Sequence, residues 1–217
     1  MKGNKEISSS VISRLPRYYR FLCELYNNGL KRISSKELAE IMGLTASQIR
    51  QDFNCFGGFG QQGYGYNIEQ LIEEFAAILG LNELKTAILI GAGNLGRAVA
   101  SQMSFEDKGF KLIGIFDCDP LYKGIKIRDI PISGDDSITE FCKGNEPDMA
   151  VLCLPADKAP DMVDLLVSLG IKSFWNFSHY DIHRKYPELN VANVHLSDSL
   201  MTLSFIIKNS TSGDNND

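Results

Sequence analysis

One short stretch, residues 87–100, restricts the fold of this chain more than any other. It reads AILIGAGNLGRAVA, an apolar run followed by a glycine turn and a helix-forming segment. G-x-G-x-x-G after a strand is typical of the first strand–helix unit of a doubly wound sheet, where the turn holds a dinucleotide pyrophosphate. The first glycine permits the tight turn, the second lets the backbone approach the phosphates, and the third lets the helix pack closely. The residues expected to contact a dinucleotide here are Gly91, Ala92, Gly93, Asn94, Leu95 and Gly96.

The end of the next predicted strand indicates which dinucleotide this turn would hold. The strand FKLIGIFD ends at Asp117, twenty-one residues after Gly96. A carboxylate there binds the adenosine ribose hydroxyls and repels a 2′-phosphate, which favours NADH and NAD⁺ over NADPH. A P-loop is excluded because Arg97-Ala98 stands where that motif needs Lys followed by Ser or Thr. Coenzyme A and S-adenosylmethionine, which bind the same fold, remain alternatives.

The chain after Lys85 alternates between predicted strands and helices. Strands are predicted at TAILIGA, FKLIGIFD, DMAVLCLP, IKSFWNF and NVANVHL, with a short strand or turn at RDIPISG. This alternation predicts an α/β fold, a Rossmann-type parallel sheet with helices on both faces. We place this nucleotide-binding domain at residues 83–196. An apolar C-terminal helix at 197–209 and a disordered tail at 210–217 are expected to follow.

Residues 1–82 predict a separate winged-helix domain. A long helix, SRLPRYYRFLCELYNNG, precedes two short ones joined by the turn MGLT, as in a helix-turn-helix. Two capping boxes mark the starts of the short helices, Ser34 with Glu37 and Thr45 with Gln48. Five of the nine residues Gly57–Gly65 are glycine, which suits a tight hairpin, the wing. A plain helical hairpin with a flexible linker is the alternative.

Charge is divided unevenly along the chain. Residues 1–67 hold nine Lys/Arg and five Asp/Glu, a net +4, whereas the remaining 150 residues carry a net −9. The N-terminal domain is therefore the part suited to DNA phosphates. On its third helix, arginine suits guanine and glutamine suits adenine. The residues expected to contact double-stranded DNA, on the second and third helices and the wing, are Lys36, Thr45, Ser47, Gln48, Arg50, Gln51, Gln61 and Gln62.

Cysteine and histidine spacing predicts no metal centre. Five cysteines are scattered without a C-x-x-C pair, which fits a reducing compartment, and the three histidines lie late in the chain. The start, MKGNKEISSS, does not resemble a signal peptide, and the apolar runs are shorter than the roughly 20 residues of a spanning helix. We expect a cytoplasmic protein.

The chain shows no recognisable apparatus for hydride transfer, which needs a positioned acid–base group and a substrate pocket. Tyr122 and Lys126 match the Y-x-x-x-K spacing of short-chain dehydrogenases, but they fall in a loop just after Asp117. His179 and His183 follow a strand end and are interpreted as solvated or structural. We predict that the protein is not an enzyme. The alternative is a small NAD-dependent oxidoreductase with a helical N-terminal extension.

Together these features resemble the Rex family of redox-sensing transcriptional repressors. The resemblance spans residues 7–207 and is carried by ISRLPRYYRFL, TASQIRQDFNCFGGFGQQGYGY, GAGNLGRA, GIFDCDP and WNFS. It implies a homodimer that binds a palindromic operator when NADH is scarce and releases it when NADH binds. It also implies a C-terminal helix swapped into the partner subunit. The residues that it adds to the cofactor site are Leu154, Pro155, Asn176, Phe177 and Ser178.

The same resemblance implies an intersubunit polar relay between Arg20 and Asp198. Some positions depart from the family pattern. Many relatives carry Arg-Lys in the recognition helix and Arg in the wing, where this chain has Arg50-Gln51 and Gln61-Gln62. Gln102 stands where some relatives have a tyrosine coupled to the relay. These departures concern the operator bases and the allosteric coupling rather than the class of function.

Overall fold

The chain folds into two compact units, each with its own apolar core. The computed structural model describes residues 8–56, 60–61 and 64–212. The units are Met1–Glu83 and Leu84–Asp217.

The first unit combines helices with a small antiparallel sheet. Its helices are α1 (Ser9–Asn27), α2 (Ser35–Met42), α3 (Ala46–Asn54) and α4 (Ile68–Ile78). Its strands β1 (Arg32–Ile33), β2 (Gly60–Gln61) and β3 (Gly65–Asn67) pair in the order β1-β3-β2. The β2–β3 hairpin is the predicted wing, so the predicted winged-helix fold is confirmed. Strand β1, which pairs with β3, is an addition to the elements expected from the sequence.

The predicted helix caps are formed, with one difference. The Ser34 hydroxyl accepts from the Glu37 N–H and the Glu37 carboxylate accepts from the Ser34 N–H, a complete capping box. Thr45 accepts from the Gln48 N–H, but the Gln48 side chain bonds to Asp52 instead of returning to Thr45. The second capping box is therefore only half formed.

Aromatic rings form the centre of the first core. Tyr18 of α1, Phe53 of α3 and Phe75 of α4 are buried, and the Phe53 ring meets the other two edge-on with centroids 5.3 Å apart. Edge-on aromatic pairs are favourable beyond their buried area. Phe53 and Ile49 thus fix which face of α3 points inward. The opposite face of α3 is left exposed.

The second unit contains a seven-stranded sheet and the remaining helices. The strands are β4 (Lys85–Ile90), β5 (Phe110–Asp117), β6 (Lys126–Ile127), β7 (Ile130–Gly134), β8 (Met149–Leu152), β9 (Ser173–Asn176) and β10 (Asn190–Asn193). The helices are α5 (Asn94–Gln102), α6 (Ile138–Asn145), α7 (Ala159–Ser168) and α8 (Leu196–Ser212). The sheet order is β10-β9-β8-β4-β5-β7-β6, parallel throughout except for the β6–β7 pair.

This strand order defines where a ligand can bind. From β4 the chain proceeds through β5 to β7 on one side and later through β8, β9 and β10 on the other. In open parallel sheets, ligands bind at the carboxyl ends of the strands where the order reverses, here between β4 and β8. Alternate residues of β4 belong to two separate cores, Ala87 with Leu89 and Ile88 with Ile90. The sheet is therefore buried on both faces, as predicted.

Helix α8 differs from the other helices in its exposure. It runs from Leu196 to Ser212, longer at both ends than the expected 197–209, and residues 213–217 lie outside the described part. Within one chain its large apolar side chains are about half to two-thirds exposed: Leu196, Leu200, Met201, Leu203, Phe205, Ile206 and Ile207. Among the described residues, no helix combines the length and the apolarity needed to cross a bilayer.

Candidate nucleotide site and DNA-binding surface

Two glycines of the turn after β4 are required by the chain itself. Gly91 has a φ of 94°, a conformation that favours glycine, and a Cβ there would lie 2.5 Å from the Cys153 carbonyl oxygen. A Cβ on Gly96 would overlap the Gly91 carbonyl oxygen. These two positions hold β4, α5 and the end of β8 close together, as expected from the motif.

Gly93 is different because the space around it is open. A Cβ there would meet no described atom within 4 Å, and its φ of −64° is ordinary for any residue. The fold therefore gives no steric reason for glycine at this position. Gly93 is the N-cap of α5 and has no side chain that could accept from the first N–H groups of the helix. The open space thus adjoins the positive end of the helix, the arrangement that binds a pyrophosphate.

Asp117 is fixed beside this turn by both of its carboxylate oxygens. Oδ2 accepts from the Ala92 N–H at 2.5 Å, and Oδ1 accepts from the Asp119 N–H at 2.7 Å. A carboxylate oxygen can accept more than one hydrogen bond, so each keeps acceptor capacity for a ribose hydroxyl. Asp117 therefore shapes the turn, and its contact with a ribose stays a prediction.

The residues after β8 and β9 divide into exposed and buried ones. Pro155 is exposed, and Leu154 and Phe177 are partly exposed. Asn176 and Ser178 are buried, and their polar groups bond to each other, the Ser178 hydroxyl donating to Asn176 Oδ1 at 2.6 Å. The Asn176 amide nitrogen donates to the Tyr180 carbonyl and to Asn193 Oδ1, both at 2.8 Å. In this chain the pair holds the loop that carries Phe177; its direct contact with a nucleotide stays a prediction.

Tyr122, Lys126 and His179, the residues considered for catalysis, do not form a catalytic arrangement with one another. The Arg97 guanidinium lies 4.9 Å from the centre of the Tyr122 ring, and Lys126 begins β6 rather than lying on a helix with Tyr122. His179 stacks on His195, with the two Nδ1 atoms 3.2 Å apart. Within the described ranges, no group of three or more His, Cys, Asp or Glu is placed to hold a metal ion.

The outer face of α3 carries several of the residues expected to contact DNA. Ser47, Arg50 and Gln51 are exposed there, and Lys36 is exposed on α2. Arg50 Nη1 donates to the Ser35 hydroxyl at 3.1 Å, which connects the two helices at this face. Gln48 is half-buried because its amide bonds inward. In the wing, Gln61 lies on β2 and Gln62 falls outside the described residues.

A buried carboxylate that sequence reasoning missed anchors α3 to α1. Asp52 is 1% exposed and accepts from Arg14 Nε at 2.7 Å and Arg14 Nη2 at 2.8 Å. The Tyr18 hydroxyl donates to it at 2.7 Å and the Gln48 amide at 2.8 Å. Burial opposes ionisation, but these hydrogen bonds prevail and hold the pKa of Asp52 below its ordinary value. Burial, together with the bond to Asp52, raises the pKa of the Tyr18 hydroxyl.

The two residues of the expected relay are both at the surface of one chain. Arg20 is exposed on α1, with its guanidinium carbon 5.7 Å from the centre of the Phe21 ring. Asp198 is exposed in the first turn of α8, and Gln102 is exposed at the end of α5. The relay between subunits stays a prediction.

Comparison with known proteins gives two family models and a set of full-length relatives. The model described as "Putative DNA-binding protein N-terminus" matches residues 6–54, and the one described as "CoA binding domain" matches residues 82–180. The redox-sensing transcriptional repressor Rex of Thermoanaerobacter pseudethanolicus is 52% identical, covering 94% of this chain and 91% of that protein. The repressor of the same name from Clostridioides difficile is 49% identical, covering 96% of this chain and 99% of that protein.

Solved structures give the same result. A Rex-family repressor, RSP, crystallised with β-NAD⁺ and operator DNA, is 50% identical and superposes with a TM-score of 0.87, covering 96% of this chain and 95% of that one. Its complex with β-NADH is 46% identical with a TM-score of 0.88, covering 98% of this chain and 100% of that one. Identity near one half over almost the full length settles the relationship. The chain belongs to the Rex family of redox-sensing transcriptional repressors.

Proposed function

We propose that this protein is a cytoplasmic transcriptional repressor that senses NADH and NAD⁺, binds a palindromic operator when NADH is low and releases it when NADH binds. The observation that carries the proposal is the combination in one chain of a winged helix with an exposed polar α3 face and a nucleotide turn open at Gly93. RSP, whose chains are 46–50% identical to this one, binds operator DNA together with β-NAD⁺ and, in a separate crystal structure, β-NADH. The protein acts as a regulator rather than an enzyme.

The nucleotide-binding residues serve two purposes. The turn from Gly91 to Gly96 and Asp117 hold the pyrophosphate and the adenosine, which NADH and NAD⁺ share. Discrimination between the two must therefore occur at the nicotinamide, which is neutral in NADH and positively charged in NAD⁺. Pro155 and Phe177, on the loops after β8 and β9, supply an apolar surface that favours the neutral ring.

The DNA-binding residues on α3 read the major groove as the second helix of a helix-turn-helix does. Arg50 and Gln51 are the candidates for base contacts, because arginine pairs with guanine and glutamine with adenine. Ser47, Thr45 and Lys36 lie at or near the N-termini of α2 and α3 and suit phosphate contacts. Gln48 supports α3 through Asp52.

In the proposed homodimer, the partner subunit completes the nicotinamide pocket. The exposed apolar face of α8 is a surface that a second copy of the chain would bury. Swapped into the partner, α8 would bring Leu200 or Met201 of the partner subunit to the nicotinamide pocket. The Arg20–Asp198 relay would connect this helix to the winged-helix unit.

The test is a measurement of reciprocal coupling. If NADH binds the operator-released state more tightly, operator DNA must weaken NADH binding by the same factor by which NADH weakens operator binding. NADH affinity is measured by calorimetry on the full-length protein with and without a saturating palindromic duplex, and NAD⁺ is titrated in parallel. A coupling of roughly 5- to 150-fold is the typical range for allosteric proteins. Equal NADH affinities with and without operator would refute the proposal.

Coenzyme A is the second candidate ligand, because the matching family model for residues 82–180 carries that description. Unlike NADH, coenzyme A carries a phosphate on its adenosine ribose, at the 3′-position, and the carboxylate of Asp117 would repel this negative group. The same titration with coenzyme A distinguishes the two ligands. Binding of coenzyme A tighter than NADH would reverse the assignment.

A further inference from the structure

A second carboxylate lies beside Asp117 at the same edge of the sheet. Strands β5 and β7 are adjacent and parallel, and their register pairs Asp117 with Gly134. Asp135 follows Gly134 directly and begins the short 3-10 turn Asp135–Ser137 that leads into α6. Neighbouring parallel strands bring their carboxyl ends to one edge. Asp135 therefore stands next to the residue that would hold the adenosine ribose.

Asp135 has an unsatisfied oxygen at this position. Its Oδ1 is buried and, within the described residues, has no hydrogen-bond partner. A buried polar atom without a partner costs free energy and is uncommon in folded proteins. The nearby Ser137 hydroxyl donates to the Gly134 carbonyl at 2.7 Å rather than to Asp135. Among the residues that the structure describes, the carboxylate therefore makes no structural hydrogen bond through this atom.

Charge is concentrated around the same residue. Burial and then the neighbouring carboxylates of Asp117 and Asp136 raise the pKa of Asp135. The three acids therefore repel one another, and a further negative group brought to this edge would be repelled by all three. One cation is also near, since the Lys123 ammonium lies 3.8 Å from where a Gly134 Cβ would be. The three carboxylates exceed this single ammonium group in number, so negative charge predominates at this edge.

We propose that Asp135 is a second determinant of nucleotide selectivity, which acts with Asp117 to exclude the 2′-phosphate of NADPH from the adenosine end of the site. The proposal rests on the assignment of this site to NADH. Asp117 contacts the ribose, whereas Asp135 acts through its charge from the adjacent strand end. Selectivity is in this way shared between two strands rather than assigned to one residue.

The test compares Asp135→Asn with a matched control. Glu140→Gln removes the same charge from an exposed position on α6 and serves as that control. Dissociation constants for NADH and NADPH are measured with full-length wild type and both variants at low ionic strength. Coulomb's law for charges separated by several ångströms at the surface of a protein gives a gain of roughly five- to tenfold in NADPH affinity for Asp135→Asn. NADH affinity should stay within about twofold of wild type, and Glu140→Gln should change neither.

Each other outcome overturns the proposal. An unchanged NADPH affinity, or an equal gain for NADH, would show that Asp135 does not discriminate at the 2′-position. Asp135→Ser is measured as a second variant in case the amide disturbs the turn. If Asp135→Asn and Asp135→Ser both lost NADH binding while Glu140→Gln kept it, Asp135 would support the site itself. If wild-type protein bound no NADH, the proposed function would fail first, and the two failures are thereby distinguishable.

Discussion

Replacing Asp52 by asparagine should destabilise the winged-helix unit and weaken operator binding. The change removes a charge but little volume. The carboxylate accepts four hydrogen bonds, two of them from Arg14. An asparagine amide keeps one acceptor oxygen, and its nitrogen can only donate, so about half of these bonds are lost.

The magnitude follows from the number of bonds and their burial. Hydrogen bonds to charged groups contribute about 1.5–3 kcal/mol each, and relief from burying the charge offsets part of the loss. Arg14, whose side chain is 29% exposed, can regain water. We expect a net loss of about 2–3 kcal/mol, a large share of the roughly 5–15 kcal/mol that stabilises a typical domain.

Urea unfolding provides the assay because two signals separate the units. The single tryptophan, Trp175, lies in the second unit, so its fluorescence reports that unit, whereas far-UV circular dichroism reports both. Asp52→Asn should lower the urea midpoint of the dichroism transition and leave the fluorescence transition in place. Glu40→Gln, an exposed charge change on α2, is the control. If the unfolding free energies of Asp52→Asn and Glu40→Gln from the dichroism transition agreed within about 0.5 kcal/mol, the reasoning would be refuted.

The effect should also depend on pH. The pKa of Asp52 in the folded protein lies below its ordinary value of 3.8. Such a group stabilises the fold fully above the unfolded-state pKa and loses this contribution as the pH falls through the folded-state pKa. Wild type and Asp52→Asn should therefore differ at neutral pH and converge in acid, as the pH falls through the lowered pKa of Asp52.

Further predictions follow from the proposed sites. Arg50→Ala should weaken operator binding by about 1 kcal/mol or more in an anisotropy titration if Arg50 reads a base. Gly93→Leu should abolish NADH binding in calorimetry while leaving the fold intact, because a side chain would fill the open space beside α5. Asp117→Ala should narrow the preference for NADH over NADPH and weaken both, since the Ala92 N–H loses its acceptor. Removing residues 197–217 should abolish the dimer, measured by sedimentation, and the NADH response of operator binding.

Matched variants serve as controls for these measurements. Lys143→Ala removes an exposed cation from the second unit and should leave operator affinity unchanged. A Cβ on Gly144, like one on Gly93, would meet no described atom within 4 Å, so Gly144→Leu should keep NADH binding. Operator affinity unchanged by Arg50→Ala at physiological salt, or NADH binding by Gly93→Leu, would contradict the respective assignment.

The features that sequence predicted well are those encoded by local spacing. The glycine turn directly follows β4, Asp117 is the last residue of β5, and the predicted caps at Ser34 and Thr45 involve residues three apart. The Asp52 cluster depends instead on Arg14 and Tyr18, which are 38 and 34 residues away along the chain. A local sequence pattern does not predict contacts between residues so far apart in the chain.

A partial signal for that cluster was nonetheless present. Gln48 and Asp52 are four residues apart on α3, a spacing at which helical side chains meet. The capping-box interpretation predicts that the Gln48 side chain bonds back to Thr45, whereas in the structure it donates to Asp52. The hydrogen bond between Asn176 and Asn193 was missed for the reason that applies to Arg14, because it joins the ends of β9 and β10, which only the sheet brings together.

The double anchoring of Asp117 affects how the site meets its ligand. Both carboxylate oxygens already hold backbone N–H groups, so the side chain occupies one orientation before a nucleotide arrives. Immobilising a side chain costs about 0.5–1.5 kcal/mol of entropy when it happens on binding. Here that loss belongs to folding, and the acceptor is preorganised. This preorganisation raises nucleotide affinity in any state that keeps these two hydrogen bonds, whereas the shift between conformational states comes only from contacts that differ between them.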